Sequence, residues 1–225
     1  MKLVLTCEHG GNYIPIEYKA QFINKEAVLH SHRGFDLGAL DVFKTLNPLA
    51  DFSIYSITSR LLIELNRSLH HRNLFSEFTS ELSQAEKQKI IMQHYKPYRD
   101  AVETAILNFI KEGETVLHIS VHSFTPLWKN KKRRVDLGLL YDSRISKEKT
   151  FCKTFKAKLQ KANTYGVRFN QPYLGKSDGF TTYLRKQFPN NYLGIELEIN
   201  QKYAQKNKMP DILKVMLLNA LNDYK

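Results

Sequence analysis

Cysteine is almost absent. Only Cys7 and Cys152 occur among 225 residues, far apart and without the paired spacing of a zinc ribbon or a disulfide framework, so both are expected to be reduced and structural. No apolar run approaches the roughly 18 residues that a membrane helix requires, and the opening MKLVLTCEHGG turns polar too early for a secretory signal. A soluble, cytoplasmic protein is the expectation. A G-x-S-x-G elbow is also missing, which leaves Ser123 without the local geometry of a serine-hydrolase nucleophile. Helix-turn-helix, zinc-finger and RNA-binding signatures are missing as well. No repeat, low-complexity tract or linker divides the chain, so one domain spanning residues 1–225 is expected.

Acidic residues are in short supply too, 22 against 34 lysines and arginines, for a formal net charge of +12. Such a surplus brings nucleic acid into consideration, because clustered cations gain affinity by releasing counterions from phosphates. Here the charge is scattered. Its densest run is Lys129–Arg134 (KNKKRR), and much of the rest lies along stretches such as Lys147–Lys161. The favoured reading is a solvated face, or an attraction for small anionic substrates. Nucleic acid is not an expected partner, and the oligomeric state is not legible.

What the chain does have is pattern. Short apolar, β-branched runs alternate with longer amphipathic stretches, as in strands joined by crossover helices into a largely parallel sheet. Strands are expected at Lys2–Thr6, Phe52–Thr58, Leu61–Leu65, Thr115–Val121, Arg134–Tyr141, Val167–Phe169 and Tyr192–Ile199. Helices are expected at Leu37–Thr45, Ser83–Lys111, Lys147–Ala162, Phe180–Lys186 and Pro210–Asn222, the second interrupted near Pro97. With 42% hydrophobic residues, the chain can bury a core of ordinary size. The expected class is α/β, a three-layer domain around a largely parallel mixed sheet.

In open α/β sheets ligands bind beyond the carboxyl ends of the strands, and three segments place polar residues there. In LVLTCEHGGNYIP a strand runs into Glu8 and His9, and Gly10 and Gly11 let the backbone turn closely around them. In TVLHISVHSFTP, His122 and Ser123 follow a strand. In YLGIELEINQKY, Glu196 and Glu198 share one strand face, with Glu198 at its end. Two histidines and a carboxylate converging from separate strands suit zinc, which leaves a fourth position for a water made acidic by the metal. A nearby unligated glutamate would take the proton. His30, His32, His70, His71, His94 and His118 read instead as hydrogen-bonded structural residues, His118 on the sheet face opposite the site. A fourth segment, SRLLIELNRSLHH, holds Arg60 and Arg67 on either side of a short apolar strand. Guanidinium forks of this kind bind carboxylates. The structural alternative pairs Arg67 with a surface acid such as Glu64.

Taken together, these residues resemble the N-formylglutamate amidohydrolases. The family opening CEH-x-x-N-x-x-P is matched by Cys7–Pro15. Further matches follow in order at Gly34–Gly38, Asn66-Arg67, His122–Pro126, Asp136–Asp142, Asn170 with Pro172-Tyr173, Gly175 with Asp178-Gly179, and Glu198–Asn200. The ordered set is specific to the family, though not to one substrate. It implies a fold similar to the zinc-dependent exopeptidases, with one zinc ion per chain held at strand ends. It also implies Asn66 and Arg67 as binders of the substrate carboxylate and Arg60 as the group that polarises the scissile carbonyl. The chain departs from those relatives where they carry a second ligand, a glutamate three residues after the first histidine; here that residue is Asn12. The carboxylate ligand must then come from elsewhere, with Asp36 the first choice and Glu8 the second.

The expected assignment is therefore His9, Asp36 and His122 as zinc ligands and Glu198 as general base and later proton donor, with Glu196 as the alternative base. Arg60 stabilises the oxyanion, Asn66 and Arg67 dock the carboxylate, and Tyr173, Asp178 and Gly179 form a pocket wall or lid. The expected reaction cleaves the amide of a small anionic N-acyl amino acid such as N-formyl-L-glutamate, giving formate and glutamate. A short peptide, another N-acyl amino acid or a cell-wall fragment are alternative substrates. The alternative class is a non-catalytic anion- or nucleic-acid-binding protein on the same fold.

Overall fold

In the computed structural model, which describes residues 1–161, 163–222 and 224, the first strand sets the plan. β1 (Lys2–Cys7) sends Leu3, Leu5 and Cys7 into a hydrophobic cluster on one side of the sheet and Val4 into a second cluster on the other. A short helix, α1 (Glu26–Leu29), and then α2 (Ala39–Leu46) lead to β2 (Phe52–Tyr55), which pairs with β1 in parallel. The long amphipathic stretch that follows forms α3 (Gln84–Ile90) and α4 (Lys96–Lys111), separated by a π turn over Ile91–Tyr95. Pro97 explains the break expected near it. Proline lacks an N–H and its ring crowds the carbonyl four residues back, so the helix widens just before it.

β3 (Val116–Phe124) is followed by a small hairpin that stands off the main sheet, β4 (Leu127–Trp128) and β5 (Lys131–Lys132). Its two turn residues, Lys129 and Asn130, have φ of 48° and 60°, as a tight hairpin of this length requires. β6 (Leu137–Leu140), α5 (Ser146–Gln160), β7 (Val167–Phe169), α6 (Phe180–Gln187), β8 (Tyr192–Asn200) and α7 (Asp211–Asn222) complete the order. The last residue of the helix expected over Lys147–Ala162 lies outside the described residues. The main sheet runs β2-β1-β3-β8-β6-β7. Its first four strands are parallel, β6 is antiparallel to β8, and β7 is parallel to β6. Helices α2, α5 and α7 pack into the cluster on one face, and α3, α4 and α6 into the cluster on the other. The fold is thus mixed α/β around a largely parallel six-stranded sheet, as the alternating pattern predicts.

Two expectations fail. Residues Leu61–Leu65 are not a strand; they run through turns, although all four of their aliphatic side chains are buried in the second cluster. Their backbone is satisfied without a sheet partner: Glu64 N donates to Leu74 O at 2.9 Å, and the Thr79 hydroxyl donates to Leu62 O at 3.1 Å. Burial alone therefore made the run look strand-like. His118, in turn, is not on the opposite face from the site. β3 continues to Phe124, and period two keeps His118, Ser120 and His122 on one side. His118 lies four register pairs below His122, between Thr6 Oγ1 (2.8 Å) and the Tyr192 hydroxyl (2.7 Å), and burial pushes its pKa down to about 4.

The same alternation lines up Thr6 and Glu8, then Ser120 and His122, then Glu196 and Glu198 across the three central parallel strands. The opposite face of these strands is apolar up to Ser123 near the end of β3. Beside β8, a buried ion pair joins a helix from one face of the sheet to a helix from the other. Glu148 of α5 accepts from Arg185 Nε of α6 at 2.8 Å, from Gly194 N at 2.9 Å and from Asp142 N at 2.8 Å. Arg185 also donates to the carbonyls of Gly175 (2.7 Å) and Gly194 (2.6 Å). Arg185→Met should destabilise the fold by about 3–5 kcal/mol, because it strands a buried carboxylate. Urea unfolding would measure this, and adding Glu148→Gln should recover part of the loss.

Candidate metal centre and substrate cleft

Asp36, in the loop before α2, is the meeting point of the site. Its backbone N donates to His9 O at 2.9 Å. Its Oδ2 lies 3.4 Å from His9 Nδ1 and 3.0 Å from His122 Nδ1 and accepts from Ser123 N at 3.2 Å, while Oδ1 accepts from Arg60 Nη1 at 3.1 Å. His9 lies two residues past the end of β1, and His122 sits within β3. One ligand atom from each of His9, Asp36 and His122 falls within 4.8 Å of the others, and all three residues are buried. The glycines after His9 let the turn pack closely on residues 56 and 57: a Cβ on Gly10 would stand 2.8 Å from Ser56 O, and one on Gly11 2.7 Å from Ile57 O.

The remaining ring nitrogens face acceptors. His9 Nε2 is hydrogen-bonded to Glu64 Oε1, and His122 Nε2 lies 2.8 Å from Ser120 Oγ and 3.2 Å from Glu8 Oε2. Ser120 Oγ donates to Glu8 at 2.6 Å, and the Tyr98 hydroxyl donates to it at 3.2 Å from α4. In a neutral ring, these acceptors hold the proton on Nε2 and leave the Nδ1 lone pair toward Asp36, the arrangement that orients histidine ligands in metal sites.

Charge balance points the same way. Burial opposes ionisation of Glu8, Asp36 and Glu64, yet each is held below its usual range: Glu8 by His122 and Ser120, Asp36 by His9 and His122, and Glu64 by Arg60 and His9. One permanent cation stands among these three anions, Arg60, whose Nε donates to Glu64 at 2.8 Å. With neutral imidazoles, the direct contacts leave two negative charges, which Arg67 near Glu64 and Arg99 near Glu8 offset in part. A divalent cation would offset them; so would protons on His9 and His122, whose pKa values the surrounding carboxylates raise despite burial. Donor set, burial and surplus charge all fit a divalent metal.

Glu198 is paired in register with His122 on the neighbouring strand. It is 6% exposed, its Oε2 has no hydrogen-bond partner, and burial lifts its pKa to about 8. Glu196, by contrast, accepts from the Thr181 hydroxyl at 2.9 Å.

Above this centre lies a cleft of about 460 Å³ whose walls include Asp36, Arg60, Glu64, Arg67 and Tyr173. Arg67 Nη1 donates to Asp178 O, and Arg67 has no acidic side-chain partner among the described residues. Asn66 does not line the cleft: its Oδ1 accepts from Phe180 N at 2.6 Å and its Nδ2 lies 3.4 Å from His122 Nε2. Asp178 accepts from Ser68 N at 3.1 Å, and a Cβ on Gly179 would stand 3.2 Å from Asn66 Oδ1. In this structure those three residues brace the loop that carries Arg67. The Ser123 hydroxyl donates to Leu37 O at 2.8 Å rather than to an imidazole. Asn12 borders a different groove, with Tyr13, Lys19 and Phe22.

Sequence reasoning passed over several residues here. Glu64 is no surface partner of Arg67 but a buried clamp on His9 and Arg60. The clue was a carboxylate inside the apolar run LLIEL, which cannot be buried without partners. Ser120 and Tyr98 act with Glu8, the second-choice ligand of the sequence analysis, to steady His122, and His32, read as structural, lines the cleft. No local signal marks these roles.

Two predictions follow from this geometry. Glu64→Gln should weaken retention of a divalent metal by roughly 10- to 100-fold, measured by competition with a chromogenic chelator. Glu198 binds a proton more tightly folded, near pH 8, than unfolded at its ordinary value of 4.5. Between those pH values the metal-free fold binds more protons than the unfolded chain, so its stability falls as pH rises. Glu198→Gln should therefore raise the melting temperature of the chelated protein at pH 8–9 more than at pH 5.

Residues 1–204 match the family model for N-formylglutamate amidohydrolase. A search of curated proteins finds no match. Among solved structures, the chain is similar to a gene product of Agrobacterium tumefaciens, with 25% identity, a TM-score of 0.81, and coverage of 99% of this chain and 91% of that one. It is also similar to N-formylglutamate amidohydrolase from Ralstonia eutropha JMP134, with 16% identity, a TM-score of 0.76, and coverage of 100% and 92%; this second likeness speaks to the fold alone. With a family match over most of its length, the chain belongs to the N-formylglutamate amidohydrolase family.

Proposed function

We propose that the protein is a zinc-dependent amidohydrolase that cleaves the amide bond of an N-acyl amino acid such as N-formyl-L-glutamate, releasing formate and L-glutamate. The observation that carries this reading is the buried convergence of His9, Asp36 and His122, with Asp36 lining a cleft walled by arginines. These three residues would hold one zinc ion. Zinc bound there supplies Lewis acidity, which polarises a carbonyl and makes water more acidic.

The chain's own groups do the rest. Glu198, buried beside His122 with one oxygen free, takes a proton from the attacking water and passes it to the departing nitrogen. The hydroxyl of that water joins the acyl carbon, and the C–N bond breaks. The free Glu198 oxygen favours it over Glu196, whose carboxylate is engaged by Thr181. Arg60, anchored by Glu64 and Asp36, presents positive charge where the carbonyl oxygen becomes anionic. Arg67, without an acidic partner, takes the substrate's α-carboxylate. Asn66, Asp178 and Gly179 keep its loop in place, and Tyr173 forms a side wall. In this reading the protein works in the cytoplasm on a small anionic substrate.

The test pairs elemental analysis with hydrolysis of N-formyl-L-glutamate before and after chelation. About one zinc per chain with chelator-sensitive cleavage is expected. A metal-free, inactive protein that cannot be reconstituted would instead favour an anion-binding role. Glu198→Gln should keep the metal and lose turnover, and Arg60→Ala should lower turnover on the order of a hundredfold.

A further inference from the structure

Four arginines stand in or at the edge of the cleft, and their partners differ. Arg33 pairs with Glu77, and Arg60 pairs with Asp36 and Glu64. Arg67 and Arg133 have no acidic partner among the described residues. Arg133 follows β5 at the foot of the small hairpin. Its guanidinium carbon lies 4.9 Å from the Tyr173 ring centre, 5.3 Å from Trp128 and 5.6 Å from Phe124, and all three rings line the cleft. Only Nη1 is engaged, with the Tyr173 hydroxyl at 3.1 Å and Thr125 O at 3.3 Å. Nε and Nη2 make no hydrogen bond among the described residues. A guanidinium held among aromatic faces is oriented and partly dried, and its free donors suit an incoming anion.

We propose that Arg133 is a specificity determinant that binds the side-chain carboxylate of a dicarboxylic N-acyl amino acid, while Arg67 takes the α-carboxylate. This deepens, and for catalysis rests on, the amidohydrolase reading above. Two guanidiniums without a salt bridge among the described residues, Arg67 lining the cleft and Arg133 at its edge, come from separate elements, the 66–67 loop and the hairpin, so a ligand with two carboxylates pairs with both. Trp128, on the hairpin and 51% exposed, supplies an apolar wall for the methylenes between the two charges. A ligand with one carboxylate leaves one arginine unmatched.

The experiment compares glutarate with its mono-amide, glutaramate, which has nearly the same shape and one charge fewer. Trp128 is the sole tryptophan of the chain, so its fluorescence reports binding at this rim without any turnover. The wild-type protein should bind glutarate roughly 10- to 100-fold more tightly than glutaramate, the scale of a charge-assisted pair. Arg133→Met should erase that preference and leave glutaramate affinity unchanged, and Arg133→Lys should restore part of it. For hydrolysis, kcat/KM for N-formyl-L-glutamate should fall by the same factor in Arg133→Met, with N-formyl-L-glutamine little affected. Equal binding of both ligands by the wild type, binding of neither, a preference that survives Arg133→Met, or equal weakening of both ligands would each overturn the proposal. Failure of the amidohydrolase reading looks different: no hydrolysis by the zinc-loaded protein, with the glutarate preference intact.

Discussion

Three buried carboxylates gathered beside the ends of β1 and β3 are the constraint to which the surrounding structure answers. Ionised groups of this kind cannot leave water without compensation, and each of Glu8, Asp36 and Glu64 has several partners. Tyr98 reaches Glu8 from α4, Ser120 reaches it from β3, and Arg60 spans Asp36 and Glu64. The histidines stand between these acids and share the compensation. Because the anions in contact outnumber the fixed cation, the centre stays short of positive charge, a shortage that a divalent cation or protons on His9 and His122 would offset.

The sheet makes such a centre affordable by dividing its two faces. Leu3, Leu5, Leu117, Ile119, Leu193 and Ile195 form one apolar surface under α2, α5 and α7. The neighbouring positions on the same strands carry the polar groups. Strands held by packing on one side can present side chains on the other with little freedom, which is how a scaffold fixes catalytic geometry. The register of β1, β3 and β8 then sets which groups meet, Thr6 beside Ser120 and His122 beside Glu198.

Charge also changes sign from the floor of the cleft to its walls. The floor is anionic and asks for a cation, while Arg33, Arg60 and Arg67 line the walls. The formal surplus of +12 adds a long-range attraction for anions. On the proposed function, a small carboxylate is drawn in by the surface and oriented by the walls, with its amide brought toward the triad proposed to hold the metal.

Much of this was legible in the sequence, because hydrophobic periodicity is a local property and the strands and helices here are strongly periodic. Lys2–Thr6, Val167–Phe169 and Phe180–Lys186 needed no more than their own pattern, and His9 and Glu198 drew attention by following apolar runs. Pro97 announced its own break. Partnership was not legible, since a buried polar group is satisfied by whatever the fold brings beside it. Leu61–Leu65 looked like a strand because burial, not pairing, set its composition, and the face of His118 depended on how far β3 continued. Glu64 and Arg133 drew no functional reading because their partners lie on segments distant in the chain. The sequence by itself determined the elements, the apolar face and the residue types at the strand ends. The tertiary structure alone decided which acids the histidines share and which arginines lack a salt bridge among the described residues, because those depend on long-range register and on the loops that cross above it.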